Sequence, residues 1–230
     1  MKVLTIKLAG PLQSYGNEAA FNRRTSYHCP SKSAIVGMIA AALGYRRDDH
    51  RIGQLNKLRF AVRVDQPGQN LTDFQTIEYD QKKQKRKVTY RNYLQDAIFL
   101  VAIAGDDDQI LKIQAAMHHP KFQLFMGRRA NVPAGPLKTE VFDNDNPVSV
   151  LETLAWQAAS WYQKRYNQET FSAELLADAG LMPNIQQKMV KDNAGSFDQN
   201  NRFHSYRAVA KTFVKLKNNN YQVHDAMSFL

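Results

Sequence analysis

Residues 58–104 read LRFAVRVDQPGQNLTDFQTIEYDQKKQKRKVTYRNYLQDAIFLVAIA, and the two ends of this stretch decide the fold. Residues 58–65 alternate Leu58, Phe60, Val62 and Val64 with Arg59 and Arg63, the period-two pattern of a strand, and Pro67 and Gly68 end it. Residues 97–104 are continuously apolar, as a strand buried on both faces is. Between them, residues 69–93 are polar and basic with no helical face. The centre of this excursion, KKQKRK at 82–87, holds five Lys or Arg among six residues, and Tyr90 and Tyr93 follow it.

Working outward, residues 2–9 (KVLTIKLA) alternate as a strand, and Gly10 and Gly16 bracket a loop. Pro30 and Ser31 open a helix in which Ile35, Met38, Ile39, Ala42 and Leu43 recur at helical spacing, with Gly44 as its stop. Downstream, Asp106, Asp107 and Asp108 precede a helix with Ile110, Ile113, Ala116 and Met117 on one face. Residues 122–126 read as a short strand ending at Gly127. The order is an α+β, ferredoxin-like βαββαβ pattern, the layout of an RNA-recognition (RRM-like) fold, with a basic insertion between strands 2 and 3.

Beyond residue 130, Leu151, Leu154, Ala155, Ala158, Trp161 and Tyr162 recur at helix-like intervals within 147–166. Residues 170–180 suit a helix or a strand, 192–201 (DNAGSFDQNN) read as loop, and 203–216 return as a strand. There is no internal repeat and no clean linker. The expected division is a ferredoxin-like domain over 1–136 and a smaller, irregular, β-rich lobe over 137–230.

A chain of 230 residues buries a sizeable core. Its longest apolar runs, 34–45 and 97–105, fall short of the ~20 residues that span a bilayer. The N-terminus has no signal-peptide layout, and the lone Cys29 excludes an internal disulfide framework. Both point to a cytoplasmic protein without a membrane partner. The net charge of +10 is placed unevenly: residues 1–95 hold 17 Lys/Arg against 7 Asp/Glu, whereas residues 96–230 hold 14 of each. A field this lopsided favours a polyanion, because basic groups neutralise phosphates and release their counterions.

The six histidines, His28, His50, His118, His119, His204 and His224, make no metal-ligand spacing, and no nucleophile elbow is present. No metal, cofactor or catalytic residue is therefore expected. Ser31-Lys32-Ser33 resembles the end of a phosphate-binding loop, but Pro30 stands where that motif needs glycine, which excludes nucleotide hydrolysis. Two readings stay open there: one phosphate held by Lys32 and free helix N–H groups, or an ordinary cap beside a solvated lysine. Gly127-Arg128-Arg129 places guanidinium forks after a glycine that admits close approach, and Arg23 and Arg24 form a similar pair. Tyr90 and Arg91 each suit stacking on a base.

These segments together resemble a known family. LAGPLQSYG (8–16), CPSKSAIVGMIAAALGYRRDD (29–49), FAVRVDQPG (60–68), TDFQTI (72–77), YRNYLQDAIFLVAI (90–103) and FMGRR (125–129) match the pattern of the type I-E CRISPR Cascade subunits called CasD, within the RAMP group of RNA-binding proteins. The resemblance covers residues 3–129, with a further likeness at 201–216. It implies a subunit that holds the 5′ handle of the CRISPR RNA (crRNA) and caps the filament of backbone subunits. A protruding thumb over about 74–93 does part of the holding. It implies RNA contacts at Lys32, Tyr90, Arg91, Arg128 and Arg129. With the residues read above, the candidate set is Arg23, Arg24, Ser31, Lys32, Lys82, Lys83, Lys85, Arg86, Lys87, Tyr90, Arg91, Gly127, Arg128 and Arg129. Implied partners are the crRNA, a CasC-type backbone subunit, a CasA-type large subunit and, indirectly, target DNA. A rival reading is a metal-independent endoribonuclease that processes repeat RNA. It would need a base to activate a 2′-hydroxyl and a cation for the phosphorane, with His28, Tyr90 and Lys87 as candidates.

Overall fold

The computed structural model describes residues 1–16, 22–80 and 82–221, so His224 lies outside the described residues. In chain order, β1 (Lys2–Ala9) leads through two short strands, β2 (Leu12–Gln13) and β3 (Arg23–Arg24), to α1 (Lys32–Leu43). The helix begins where Ser31 Oγ accepts from the Ala34 N–H at 3.3 Å, and it stops at Gly44, which takes the left-handed φ of 79°. α2 (Arg51–Leu55) and β4 (Arg59–Gln66) follow. β5 (Gln69–Asp80) and β6 (Lys85–Gln95) precede β7 (Ile98–Gly105) and α3 (Asp107–His118). The remainder is β8 (Lys138–Phe142), α4 (Pro147–Thr153), α5 (Ser160–Arg165), β9 (Thr170–Asp178), β10 (Gln187–Ser196) and β11 (Phe203–Lys217).

Seven strands form one sheet in the order β10–β11–β9–β4–β7–β1–β8, every neighbouring pair antiparallel. The apolar run at 97–104 owes its continuity to burial on both faces. Phe99, Val101 and Ile103 pack with Ile35, Ile39, Ile110 and Ile113 of α1 and α3. Leu100, Ala102 and Ala104 pack with Val148 and Leu151 of α4. The result is a mixed α/β chain, mostly antiparallel sheet with few helices. Strands from both sides of residue 136 share that sheet, because β8 pairs with β1 and β9 pairs with β4.

Three expectations need correction, and one open reading is resolved. Residues 122–126 are not a strand. Their place beside β1 is taken by β8, with Val3 opposite Phe142. The segment is instead tied to the end of α1, where the N–H groups of Lys121 and Phe122 bond Ala42 O and Ala41 O at 3.1 Å each. The first of these bonds pairs off a helix-end carbonyl, whereas Ala41 O also accepts from the Gly44 N–H at 3.1 Å. The helix expected over 147–166 is broken into α4 and α5, because Arg63 draws the intervening carbonyls. Arg63 is completely buried, its Nε and Nη2 lie 2.7 and 2.9 Å from the two Asp65 carboxylate oxygens, and its Nη1 and Nη2 also donate to the carbonyls of Leu151, Leu154 and Ala155. Residues 170–180 resolve as β9, and the loop expected from 192 begins later, since β10 runs on to Ser196 through two irregularities of register.

The basic excursion is a long antiparallel hairpin, β5 with β6, closed by a turn at 82–84 in which Gln84 has a φ of 49°. No β5 residue is buried, so this strand stands clear of the core. β2 and β3 attach the base of β6 to the rest, Leu12 opposite Gln95 and Arg23 beside Tyr90.

Candidate nucleic-acid interface

Side chains alternate across a strand, so the register of the hairpin sorts its residues into two faces. One cross-strand row is Arg24–Arg91–Asp73, and the next is Arg23–Tyr90–Phe74. Tyr90 and Arg91, adjacent in sequence and expected to act together, thus point to opposite sides. The Arg91 side is partly buried and leads to Tyr93, which lies two residues on along the same face.

The loop carrying Gly127-Arg128-Arg129 closes over that side. Gly127 has a φ of 86°, and a Cβ there would sit 1.6 Å from Ser14 O, so only glycine lets the loop pass this close. Ser14 ties the junction together: its N–H bonds Met126 O at 3.2 Å, and its hydroxyl donates to Asn92 O at 2.9 Å. Arg128 is thereby placed with its guanidinium carbon 4.5 Å from the Tyr93 ring centroid, while Nη2 donates to Arg24 O at 3.1 Å. Arg128 Nη1 and Arg91 Nε are buried without a hydrogen-bond partner among the described residues. Arg129 and Arg23 are exposed nearby in sequence, and Lys82, Lys83, Lys85, Arg86 and Lys87 are exposed toward the turn. At ~3.4 Å per residue, Lys85 stands about 17 Å along β6 from Tyr90.

Ser31 and Lys32 belong elsewhere, which corrects their assignment. Ser31 is the cap of α1. Lys32 is buried, its Nζ 3.0 Å from Asp178 Oδ2 and its backbone N–H donating to Asp192 Oδ2 at 2.9 Å. Arg207 bridges the same two carboxylates, with Nη1 2.7 Å from Asp178 Oδ1 and Nε 2.6 Å from Asp192 Oδ1. Burial pushes the Lys32 amine below its ordinary pKa despite the pull of Asp178. Burial also pulls Arg207 downward, but its bonds to Asp192 and Asp178 leave it above its usual value. The helix N-terminus has found its anion inside the protein. Asp192 is 160 residues away in sequence, in a segment that reads as loop, so no local signal announces the arrangement.

His28 is likewise engaged: its Nε2 is 3.0 Å from Glu174 Oε1 on β9. Side-chain hydrogen bonds to Cys29 and then Glu174 push its pKa up to about 10. A raised histidine pKa means that the bound proton favours the folded state. The contribution is complete below the unfolded value of ~6.5 and is lost as pH rises through about 10. In an NMR titration His28 is expected to stay protonated at pH 8, and a midpoint near the ordinary value would refute this. Lys87 and Tyr90 fall on opposite faces of β6. Among the described residues, no group of three or more His, Cys, Asp or Glu could hold a metal ion, and no helix is long and apolar enough to cross a membrane.

The chain belongs to the CRISPR-associated protein (Cas_Cas5) family, whose model matches residues 3–215. A curated relative, the CRISPR system Cascade subunit CasD of Escherichia coli (strain K12), is 29% identical over 167 residues, 64% of this chain and 75% of the relative. A solved structure described as a CRISPR RNA-guided surveillance complex includes a chain 30% identical, with a TM-score of 0.76, covering 96% of this chain and 93% of that one. A crystal structure of a Cas protein is 26% identical with a TM-score of 0.61, covering 95% and 97%. The kinship with CasD expected from the motifs is borne out.

Proposed function

We propose that this chain is a non-catalytic subunit of a CRISPR Cascade complex, holding the 5′ handle of the crRNA and capping the filament of CasC-type backbone subunits. The observation that carries the reading is the placement of Arg91 in one row with Arg24, and of the Arg128 guanidinium over Tyr93 with Nη2 on Arg24 O. Phosphate oxygens of an RNA strand are the acceptors that such guanidinium groups suit best. The order β4–β7–β1–β8, with α1 and α3 packed on one face, supports the ferredoxin-like reading. The hairpin between β4 and β7 then corresponds to the thumb. The division into 1–136 and 137–230 enters as part of this proposal: the first portion carries the basic hairpin, and the second supplies the outer strands of the sheet. A CasA-type large subunit and target DNA reach this chain through the complex, in the cytoplasm, where Cys29 stays reduced.

The endoribonuclease reading finds less support. With its pKa pushed up to about 10, His28 is already protonated at neutral pH and unsuited to act as a base. Co-expression with backbone subunits and a crRNA tests the proposal. The triple variant Arg91→Ala, Arg128→Ala, Arg129→Ala is expected to fold and yet lose the crRNA from the purified complex. Normal assembly and interference would overturn the site. Specific cleavage of repeat RNA by the pure protein in chelator, lost on substituting His28, would establish the nuclease instead.

A further inference from the structure

We infer that the hairpin divides an RNA strand between its two faces: the Arg91 face takes phosphates, and the opposite face stacks unpaired bases on Phe74 and Tyr90. The inference rests on the RNA-binding reading above and adds a residue, Phe74, that lies within the motif at 72–77 but is absent from the candidate site set. Phe74 and Tyr90 sit directly opposite each other across β5 and β6, and Arg23 extends the row on β3. Phe74 is 68% exposed and Tyr90 44%, although both lie inside regular strands. Such a pair has no role in the core.

The neighbours make the rings prominent. On one side the row is Thr72 with Asn92, joined through their side-chain oxygens at 3.3 Å, and on the other it is Thr76 with Val88. These side chains are small, so the aromatic faces stand above them. The next row toward the turn is Glu78 with Arg86, which closes the apolar strip. Two aromatic side chains offer at most about 500 Å². A stable protein partner needs about 800 Å² on each side. The strip is therefore undersized for a protein and suited to one or two bases. Charge agrees: Arg23 flanks the rings and the basic turn lies beyond them. Stacking of this kind tolerates any base, because every base has a π-face.

Single-stranded RNA of mixed sequence carrying 2-aminopurine at successive positions is the probe, read by fluorescence quenching and by affinity over a salt series. Wild type is expected to quench the probe at one or two positions. Phe74→Ala and Tyr90→Ala should each abolish quenching and weaken binding roughly tenfold without changing the salt slope. Phe74→Trp should restore both. Arg91→Ala should lower the slope by about 0.7 and leave quenching by the remaining bound protein intact. If both aromatic variants bind and quench as wild type while Arg91→Ala weakens binding, the stacking platform is wrong and the RNA reading stands. If the arginine variants also leave RNA binding unchanged, both fail. Loss of a backbone subunit from the complex with unaltered RNA quenching would make the row a protein contact and overturn the inference.

Discussion

Replacing Arg63 with methionine is expected to destabilise the chain by about 3–5 kcal/mol, enough to unfold most domains of ordinary stability. Arg63 and Asp65 are both fully buried, and the guanidinium places all five of its N–H donors, two on the Asp65 carboxylate and three on the carbonyls of Leu151, Leu154 and Ala155. Methionine fills a similar volume, but it removes five donors from a buried carboxylate and three carbonyls, leaving the carboxylate with the Gln157 N–H and Ala155 O with the Gln157 Nε2 at 3.3 Å. The loss would also spread. Asp65 O accepts from Trp156 Nε1 at 2.7 Å, and Trp156 stacks on Phe171 at a centroid distance of 4.5 Å, so the segment between α4 and α5 is seated through this pair. Arg63→Lys keeps the charge yet offers three donors in place of a planar fork, so an intermediate loss is expected. Removing both charges, as Arg63→Met with Asp65→Leu, should recover part of the stability and leave the Leu151 and Leu154 carbonyls without their arginine donor. Urea denaturation of the four proteins checks the series, and a loss below about 1 kcal/mol for Arg63→Met would contradict it.

Arg63 also shows where sequence reading stops. In the alternation of residues 58–65 it occupies the polar phase, which normally faces water. It is buried because α4 and the segment after it cover that face of the sheet, and they lie about 90 residues further along the chain. The apolar run of β7 needed no such knowledge, since burial on both faces leaves its mark within the run itself. The opposite case is the hairpin. Its strands are mostly exposed, so no apolar alternation betrays them, and the basic excursion gave away its charge but not its shape. At the site, Gly127-Arg128-Arg129 and the pair at 23 and 24 were legible as motifs. That Arg128 spans from Tyr93 to Arg24 follows from the close pass at Ser14, which is a tertiary fact. Lys32 was misplaced for the same reason: its partners Asp178 and Asp192 are supplied by β9 and β10.

Neutralising Lys82, Lys83, Lys85, Arg86 and Lys87 as glutamines is expected to flatten the salt dependence of RNA binding more than any other change. Each phosphate contact on a single strand contributes a slope of about −0.7 in log affinity against log salt, so five contacts amount to about 3.5. The advantage of wild type over this variant should then shrink about a hundredfold for a fourfold rise in salt. These side chains are exposed at the turn, with long flexible stems and few fixed partners, so their contacts are interchangeable and carry no preference among sequences. Arg91→Ala with Arg128→Ala should behave differently. The slope changes by only about 1.4, but discrimination between the crRNA handle and generic RNA falls, because Arg128 is held in place by Tyr93 and Arg24 O and therefore meets only a strand of matching shape. Anisotropy titrations over a salt series with handle RNA and a scrambled control separate the two effects. A turn variant whose slope equals that of wild type would mean that the five basic groups never meet phosphate, and the lysines would then belong to a protein contact at the outer end of the hairpin.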